Sequence, residues 1–142
     1  MDAVLPDPAT PFGARVAQRL RDEAVIWLTT VAADGTPQPN PVWFLWDGHT
    51  VLVYNQPTAR RLVHVRRHPK VALHFDSNGQ GGDIIVITGE AHLSPAEPRA
   101  DQVPGYVDKY RDLIARMGQD PASMAAAYSV ALRITPARVR GF

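Results

Sequence analysis

Apolar positions along the chain change period several times. From Thr10 to Asp22, "TPFGARVAQRLRD", Phe12, Val16 and Leu20 recur at i, i+4 and i+8, which predicts a short amphipathic helix at the start of the fold. From Ala24, "AVIWLTTVAADGTPQPNPVWFLWDGHTVLVYN" reads as three β-rich runs divided at Asp34-Gly35 and Asp47-Gly48, a hairpin signal at each break, and predicts an antiparallel meander. Within it, "PQPNP" from Pro37 to Pro41 cannot be a central ladder strand and is expected to form a shaped loop. Two further strands follow in "KVALHFD" and "DIIVITGEAHL", separated by the glycine-rich "SNGQGG". Val103, Val107, Tyr110, Ile114 and Met117 align on one helical face, Asp120 to Ala127 holds a further helical turn, and "YSVALRITPARVRGF" returns to strand character. Six or seven strands with helices inserted between them, and no internal repeat, predict a mainly β fold: one small β-barrel domain over residues 1–142, with a short N-terminal helix and inserted helices near 58–68 and 103–117.

Composition narrows the chemistry. A chain of 142 residues can bury about 68 to 70% of its unfolded surface, enough for one core. No apolar run approaches the ~18 residues of a membrane span, and "MDAVLPDPATPFGAR" lacks the basic start and apolar stretch of a signal peptide, so a cytoplasmic location is expected. The absence of cysteine removes disulfides, thiolate nucleophiles and Cys-ligated metal centres. The five histidines, His49, His64, His68, His74 and His92, are scattered, and no "HExxH" pair points to a metal. "SNGQGG" has no Gly-Lys-Ser/Thr behind it and is a plain loop rather than a phosphate loop.

Charge is concentrated in one place. No Asp or Glu occurs from Gly48 to Phe75, where Arg60, Arg61, Arg66, Arg67 and Lys70 give a formal +5 against −4 for the remainder. A protein of nucleic-acid duplexes more often carries a surplus over the whole domain, so no nucleic-acid partner is expected. Thr58 as N-cap and Pro69 as stop predict a helix over Ala59 to Arg67, with Arg60, His64 and Arg67 on one face and Leu62 and Val65 opposite. Leu62 and Val65 are too few for a membrane-surface helix, so no membrane partner is expected either. Two readings of the cationic face stay open: a solvated face whose stems cover the barrel, or an anion site. Solvation leaves one thing unexplained. Arg60 and Arg61 occupy the first turn, where the helix dipole disfavours cations, and an anion such as phosphate or carboxylate would account for both.

The ordered set "WLTTVAADGTPQPNPVWFLWDG", "VLVYNQPTARRLVHVRRHPKVALHF", "GGDIIVITGEAHL" and "RITPARVRGF" covers nearly the whole chain. In it the chain resembles the split β-barrel superfamily of pyridoxamine-phosphate-oxidase-like, FMN-binding flavoproteins, and within it the branch of coenzyme F420-dependent (deazaflavin) reductases. The resemblance implies a homodimer with cofactor sites at the subunit interface. It also implies a ring site lined by Pro41, Val42 and Trp43, a preceding strand supplying Tyr54, Asn55 and Gln56, and a phosphate grip from Arg60 and Arg61. The family commonly has Lys where Arg61 stands, Asn where His64 stands and a small hydroxyl residue near Gln56. Arginine retains the charge and permits bidentate contact. His64 reads as a helix-surface histidine, and Trp27 and Trp46 as core or dimer packing.

Hydride transfer from a reduced deazaflavin uses the cofactor's own electronics, so the protein must bind, orient and exclude water rather than supply a nucleophile. Reduction of a small unsaturated or aromatic substrate with F420 is therefore the first expectation. An FMN-dependent oxidase is the second, although "RITPARVRGF" lacks the Arg-x-His substrate motif of pyridoxamine phosphate oxidase; a non-catalytic cofactor carrier or nucleic-acid-binding barrel is the third. Tyr54 is a candidate cofactor contact that could also donate a proton, or be a hydrogen-bonded structural tyrosine.

Overall fold

The computed structural model describes residues 4–142. Helix α1 (Pro11–Asp22) begins where Thr10 accepts a hydrogen bond from Gly13 N at 3.0 Å and Pro11 fills the first turn, and it buries Val16 and Leu20. Gly13 is obligatory there, because a Cβ would meet the Asp7 carbonyl oxygen at 1.9 Å.

Seven antiparallel strands form one sheet in the order β2-β1-β5-β6-β7-β4-β3: β1 (Ile26–Val31), β2 (Pro37–Val42), β3 (Leu45–Trp46), β4 (Val51–Asn55), β5 (Lys70–His74), β6 (Ile85–Leu93) and β7 (Val130–Gly141). Both Asp-Gly breaks are hairpins, with Gly35 at φ 89° and Gly48 at φ 96°. The expected meander is corrected, because β2 and β3 lie at opposite edges of the sheet. Only Trp43 and Phe44 join them, and a link that short spans at most about 11 Å, so the sheet must curl until its edges meet. That is the barrel. "PQPNP" is corrected too: it is an exposed edge strand, not a loop. Spaced by two, the prolines occupy positions whose N points away from β1, leaving the amides of Gln38, Asn40 and Val42 for the ladder.

Strand β4 is buried along its whole length because it separates two cores. Val51 and Val53 face the barrel interior with Leu28, Phe44, Leu73, Ile87 and Leu132. Leu52 and Tyr54 face a second cluster beneath a helical layer. This layer consists of a helical turn at Ala100–Gln102, α3 (Tyr106–Arg116) and α4 (Pro121–Ala127), the last capped by Asp120. The α3 face differs from the predicted one: Tyr106, Tyr110 and Ile114 are buried, Val103 precedes the helix, and Met117 is exposed. The cause is Pro104-Gly105, where Gly105 takes φ 87° as N-cap and starts the helix at Tyr106, three residues later than the periodicity suggests.

Helix α2 (Arg60–Arg67) buries Leu62 and Val65 as expected and ends before Pro69. It opens at Ala59 with no side-chain cap, so Thr58 is not the cap that the sequence suggested. Among the described residues no helix is long and apolar enough to cross a membrane, and no cluster of three or more His, Asp or Glu is placed to hold a metal.

Candidate functional site

A cavity of about 490 Å³ lies between the curled sheet and the helical layer. The sheet side contributes Pro41, Val42 and Trp43 from the end of β2, and Tyr54 and Gln56 from β4 and the turn after it. The helical side contributes Ala59, Arg61, Tyr106, Met117, Gln119, Met124 and Tyr128. The volume falls within the roughly 300 to 1,000 Å³ of small-molecule sites. Arg61 is the one charged residue in the lining.

Trp43 is held by the link that closes the barrel. Its ring stacks on Tyr110 with centroids 4.4 Å apart and planes 4° from parallel. At this break the sheet ladder no longer serves Phe44, and α3 takes over. The Tyr110 hydroxyl accepts from Phe44 N at 2.8 Å and has Ala24 O at 2.6 Å and Phe44 O at 3.0 Å within donating distance. Lys109 Nζ donates to Phe44 O at 2.8 Å and sits 3.6 Å above the Phe44 ring. Burial lowers the Lys109 ammonium to a pKa of about 8, while Asp22 and Glu23 act the other way. Burial raises the Tyr110 phenol above its ordinary range, so its hydroxyl keeps its proton.

Arg61 is anchored from behind. Asn55, fully buried, donates from Nδ2 to Val53 O at 3.0 Å and Val130 O at 2.9 Å, which fixes its Oδ1 to accept from Arg61 Nε at 2.5 Å. Among the described residues the two terminal nitrogens of the Arg61 guanidinium have no hydrogen-bond partner, and no carboxylate pairs with it. Burial draws its pKa below the ordinary value, yet a guanidinium stays charged at neutral pH. A half-buried cation with open donors at the edge of a cavity suits an anion by charge and by geometry.

Six of the eight residues singled out from the sequence therefore line one cavity: Pro41, Val42, Trp43, Tyr54, Gln56 and Arg61. The other two do not. Asn55 lies behind the wall as the brace of Arg61, and Arg60, one residue earlier on the helix, is exposed outside it. Tyr54 presents its ring, but its hydroxyl donates to Pro98 O at 2.6 Å; burial, with Glu97 nearby, lifts its pKa to about 12. His64 is not the free surface residue expected: its Nδ1 meets the hydroxyl of fully buried Thr30 at 2.9 Å, tying α2 to β1. Trp46 packs against the barrel core, whereas Trp27 lies on the outer face with Nε1 donating to Asp76 Oδ1 at 3.1 Å. Tyr106, Gln119, Met124 and Tyr128 went unnoticed in the sequence, and Met117 was read only as part of a helical face; only the Asp120-Pro121 cap signal marks the helical elbow that brings them in.

A family profile described as pyridoxamine 5'-phosphate oxidase matches residues 12–142. The chain belongs to the pyridoxamine 5'-phosphate oxidase family. Several solved structures share its fold. An F420 reductase is 21% identical, with 87% of this chain and 94% of that one covered at a TM-score of 0.62. The conserved hypothetical protein Rv2991 from Mycobacterium tuberculosis is 21% identical over 99% and 87%, TM-score 0.67. HutZ, the heme storage protein from Vibrio cholerae, is 13% identical over 93% and 95%, TM-score 0.64. At these identities the likeness establishes the split β-barrel fold of the pyridoxamine 5'-phosphate oxidase family. No curated protein matches the chain significantly.

Proposed function

We propose that the cavity binds coenzyme F420 and that the protein is a reductase passing a hydride from the reduced coenzyme to a small organic substrate. The observation that carries this reading is Arg61: a half-buried guanidinium braced by Asn55, without a carboxylate partner, at the edge of an otherwise uncharged aromatic cavity. A planar ring with an anionic tail meets both halves of that arrangement. Pro41, Val42 and Trp43 would hold the ring, and Arg61 the phosphate-bearing tail. The deazaflavin supplies the hydride-transfer chemistry when bound. The protein's own contribution is to bind, orient and keep water from the ring, for which the Tyr110 and Lys109 grip on the Trp43–Phe44 link provides a rigid wall. The reading includes a homodimer, with a second copy completing the site, and a cytoplasmic location.

FMN offers the same combination of ring and phosphate and is the alternative cofactor. Titrating the purified protein separately with oxidised F420 and with FMN, and following fluorescence quenching, decides between them. Micromolar binding of F420 with none of FMN is the expected result. Binding of FMN alone would overturn the F420 reading, and binding of neither would overturn the cofactor reading altogether.

A further inference from the structure

The glycine-rich loop between β5 and β6, Ser77 to Gly82, takes no part in the cavity. It carries a different chemistry. Of the three asparagines in the chain, Asn40 precedes Pro41, whose nitrogen has no hydrogen to give up. Asn55 is fully buried, with Nδ2 donating twice and Oδ1 holding Arg61. Asn78 alone is exposed and followed by a glycine. Gly79 has no Cβ, and open space lies where one would stand, so its backbone nitrogen is unshielded.

The loop prepares the Asn78 side chain for attack by that nitrogen. Asn78 Oδ1 accepts from Gln80 N at 2.8 Å, which folds the side chain over the Gly79 peptide as a backbone turn would and sets Cγ beside the Gly79 nitrogen. The same oxygen accepts from Gly82 N at 3.0 Å, and Asn78 N donates to Gly82 O at 3.0 Å, clasping the loop. Two N–H groups on one carbonyl oxygen polarise it and stabilise the negative charge that it gains when Cγ becomes tetrahedral. The Gly79 N–H points to Ser77 Oγ at 3.1 Å, in an exposed segment that solvent base reaches.

We propose that Asn78 is a site of spontaneous covalent modification, its side-chain amide passing through a cyclic imide to aspartate and isoaspartate. The Gly79 nitrogen gives its proton to a base in solvent and bonds to Asn78 Cγ. The Cγ–Nδ2 bond then breaks, and Nδ2 takes up a proton and leaves as ammonia. Water adds next to one of the two imide carbonyls. Cleavage between Cγ and the nitrogen yields aspartate; cleavage at the main-chain carbon yields isoaspartate, whose chain runs through Cγ. One water is consumed, one ammonia is released, and nothing is oxidised or reduced. Isoaspartate adds a methylene to the main chain and so breaks the clasp on Gly82. The two Asp-Gly pairs are spared, because an ionised carboxylate is a poor electrophile. Hydrogen bonds from Thr36 hold Asp34 below its ordinary pKa, and at Asp47 burial is outweighed by bonds from Thr50 and His49.

The test incubates the full chain, native and unfolded in urea, at mildly acidic and mildly alkaline pH. Peptides prepared at low pH are mapped by mass spectrometry, and isoaspartate is counted by enzymatic methylation of its carboxylate. Conversion is expected at Asn78 and at none of Asn40, Asn55, Asp34 and Asp47, and it should speed up with pH. The native chain should convert about three- to tenfold faster than the unfolded one, the worth of one net hydrogen bond to the developing charge. Asn78→Gln, which would need a larger ring, should yield no isoaspartate. An intact Asn78, conversion centred on another residue, or a native rate no faster than that of the unfolded chain would each overturn the assignment.

Discussion

Replacing Tyr110 by Phe tests how the barrel is closed and how Trp43 is aimed. The substitution keeps the ring, and with it the 4.4 Å stack on Trp43 and the packing on Tyr106, but deletes the hydroxyl. Phe44 N–H is then left buried without its 2.8 Å acceptor, and Ala24 O loses a 2.6 Å donor, whereas Phe44 O retains Lys109. An orphaned buried N–H costs about 1 to 3 kcal/mol and the second lost bond about 0.5 to 1.5, so the expected destabilisation is roughly 2 to 4 kcal/mol. In a domain of this size that lowers Tm by roughly 6 to 15 °C. Urea denaturation should show the midpoint falling with an unchanged m-value, since the surface exposed on unfolding is the same. The Trp43 fluorescence should become more accessible to acrylamide in a background where Trp27 and Trp46 are Phe. A loss below about 0.5 kcal/mol, with quenching unchanged, would mean that the Tyr110 hydroxyl does not hold the link.

Asn55→Ala should cost roughly 2 to 4 kcal/mol in a urea melt, because it strips Val53 O and Val130 O of their donor. It should also weaken F420 binding by releasing Arg61, and unchanged affinity would count against the brace. Lys109 makes stability pH-dependent. Its folded pKa of about 8 lies below the ordinary 10.5, so above pH 8 the unfolded chain holds the extra proton and stability rises with pH. The rise should be about 1 to 2 kcal/mol by pH 10, discounted because the ammonium is still partly solvated. Beyond pH 10, Tyr54, with a folded pKa of about 12 against an ordinary 10.0, reverses the trend. In Lys109→Met the rise between pH 8 and 10 should vanish; a persistent rise would assign it to another group.

Local signals in the sequence carried much of the fold. Thr10-Pro11 starts α1, the two Asp-Gly pairs make hairpins, and Pro69 ends α2, because each acts on its own backbone neighbours. Strand order was not legible. Nothing in "PQPNPVWFLW" says that its two halves lie on opposite sheet edges, since that follows from β5, β6 and β7 inserting between them. The same gap explains the site. Phe44 lies in the barrel core and its neighbour Trp43 on the cavity, the opposite faces that period-two alternation gives two adjacent strand-like residues. The first-turn arginines looked equivalent in the sequence, but one step along a helix turns a side chain by about 100°, and only Arg61 meets Asn55 and the cavity. Tyr106, Met124 and Tyr128 join the site through the packing of α3 and α4 on β4, a long-range outcome with no local mark.

The central claim is that Arg61, not the basic face of α2 as a whole, holds the anionic part of a bound cofactor. Isothermal titration of oxidised F420 into wild type, Arg61→Ala and Arg60→Ala measures it directly. The account predicts that Arg61→Ala loses binding by about a hundredfold or more, as expected for removing a desolvated charge-assisted pair, while Arg60→Ala stays within about threefold of wild type, as expected for an exposed cation. Equal losses in the two variants, or full affinity in Arg61→Ala, would contradict it.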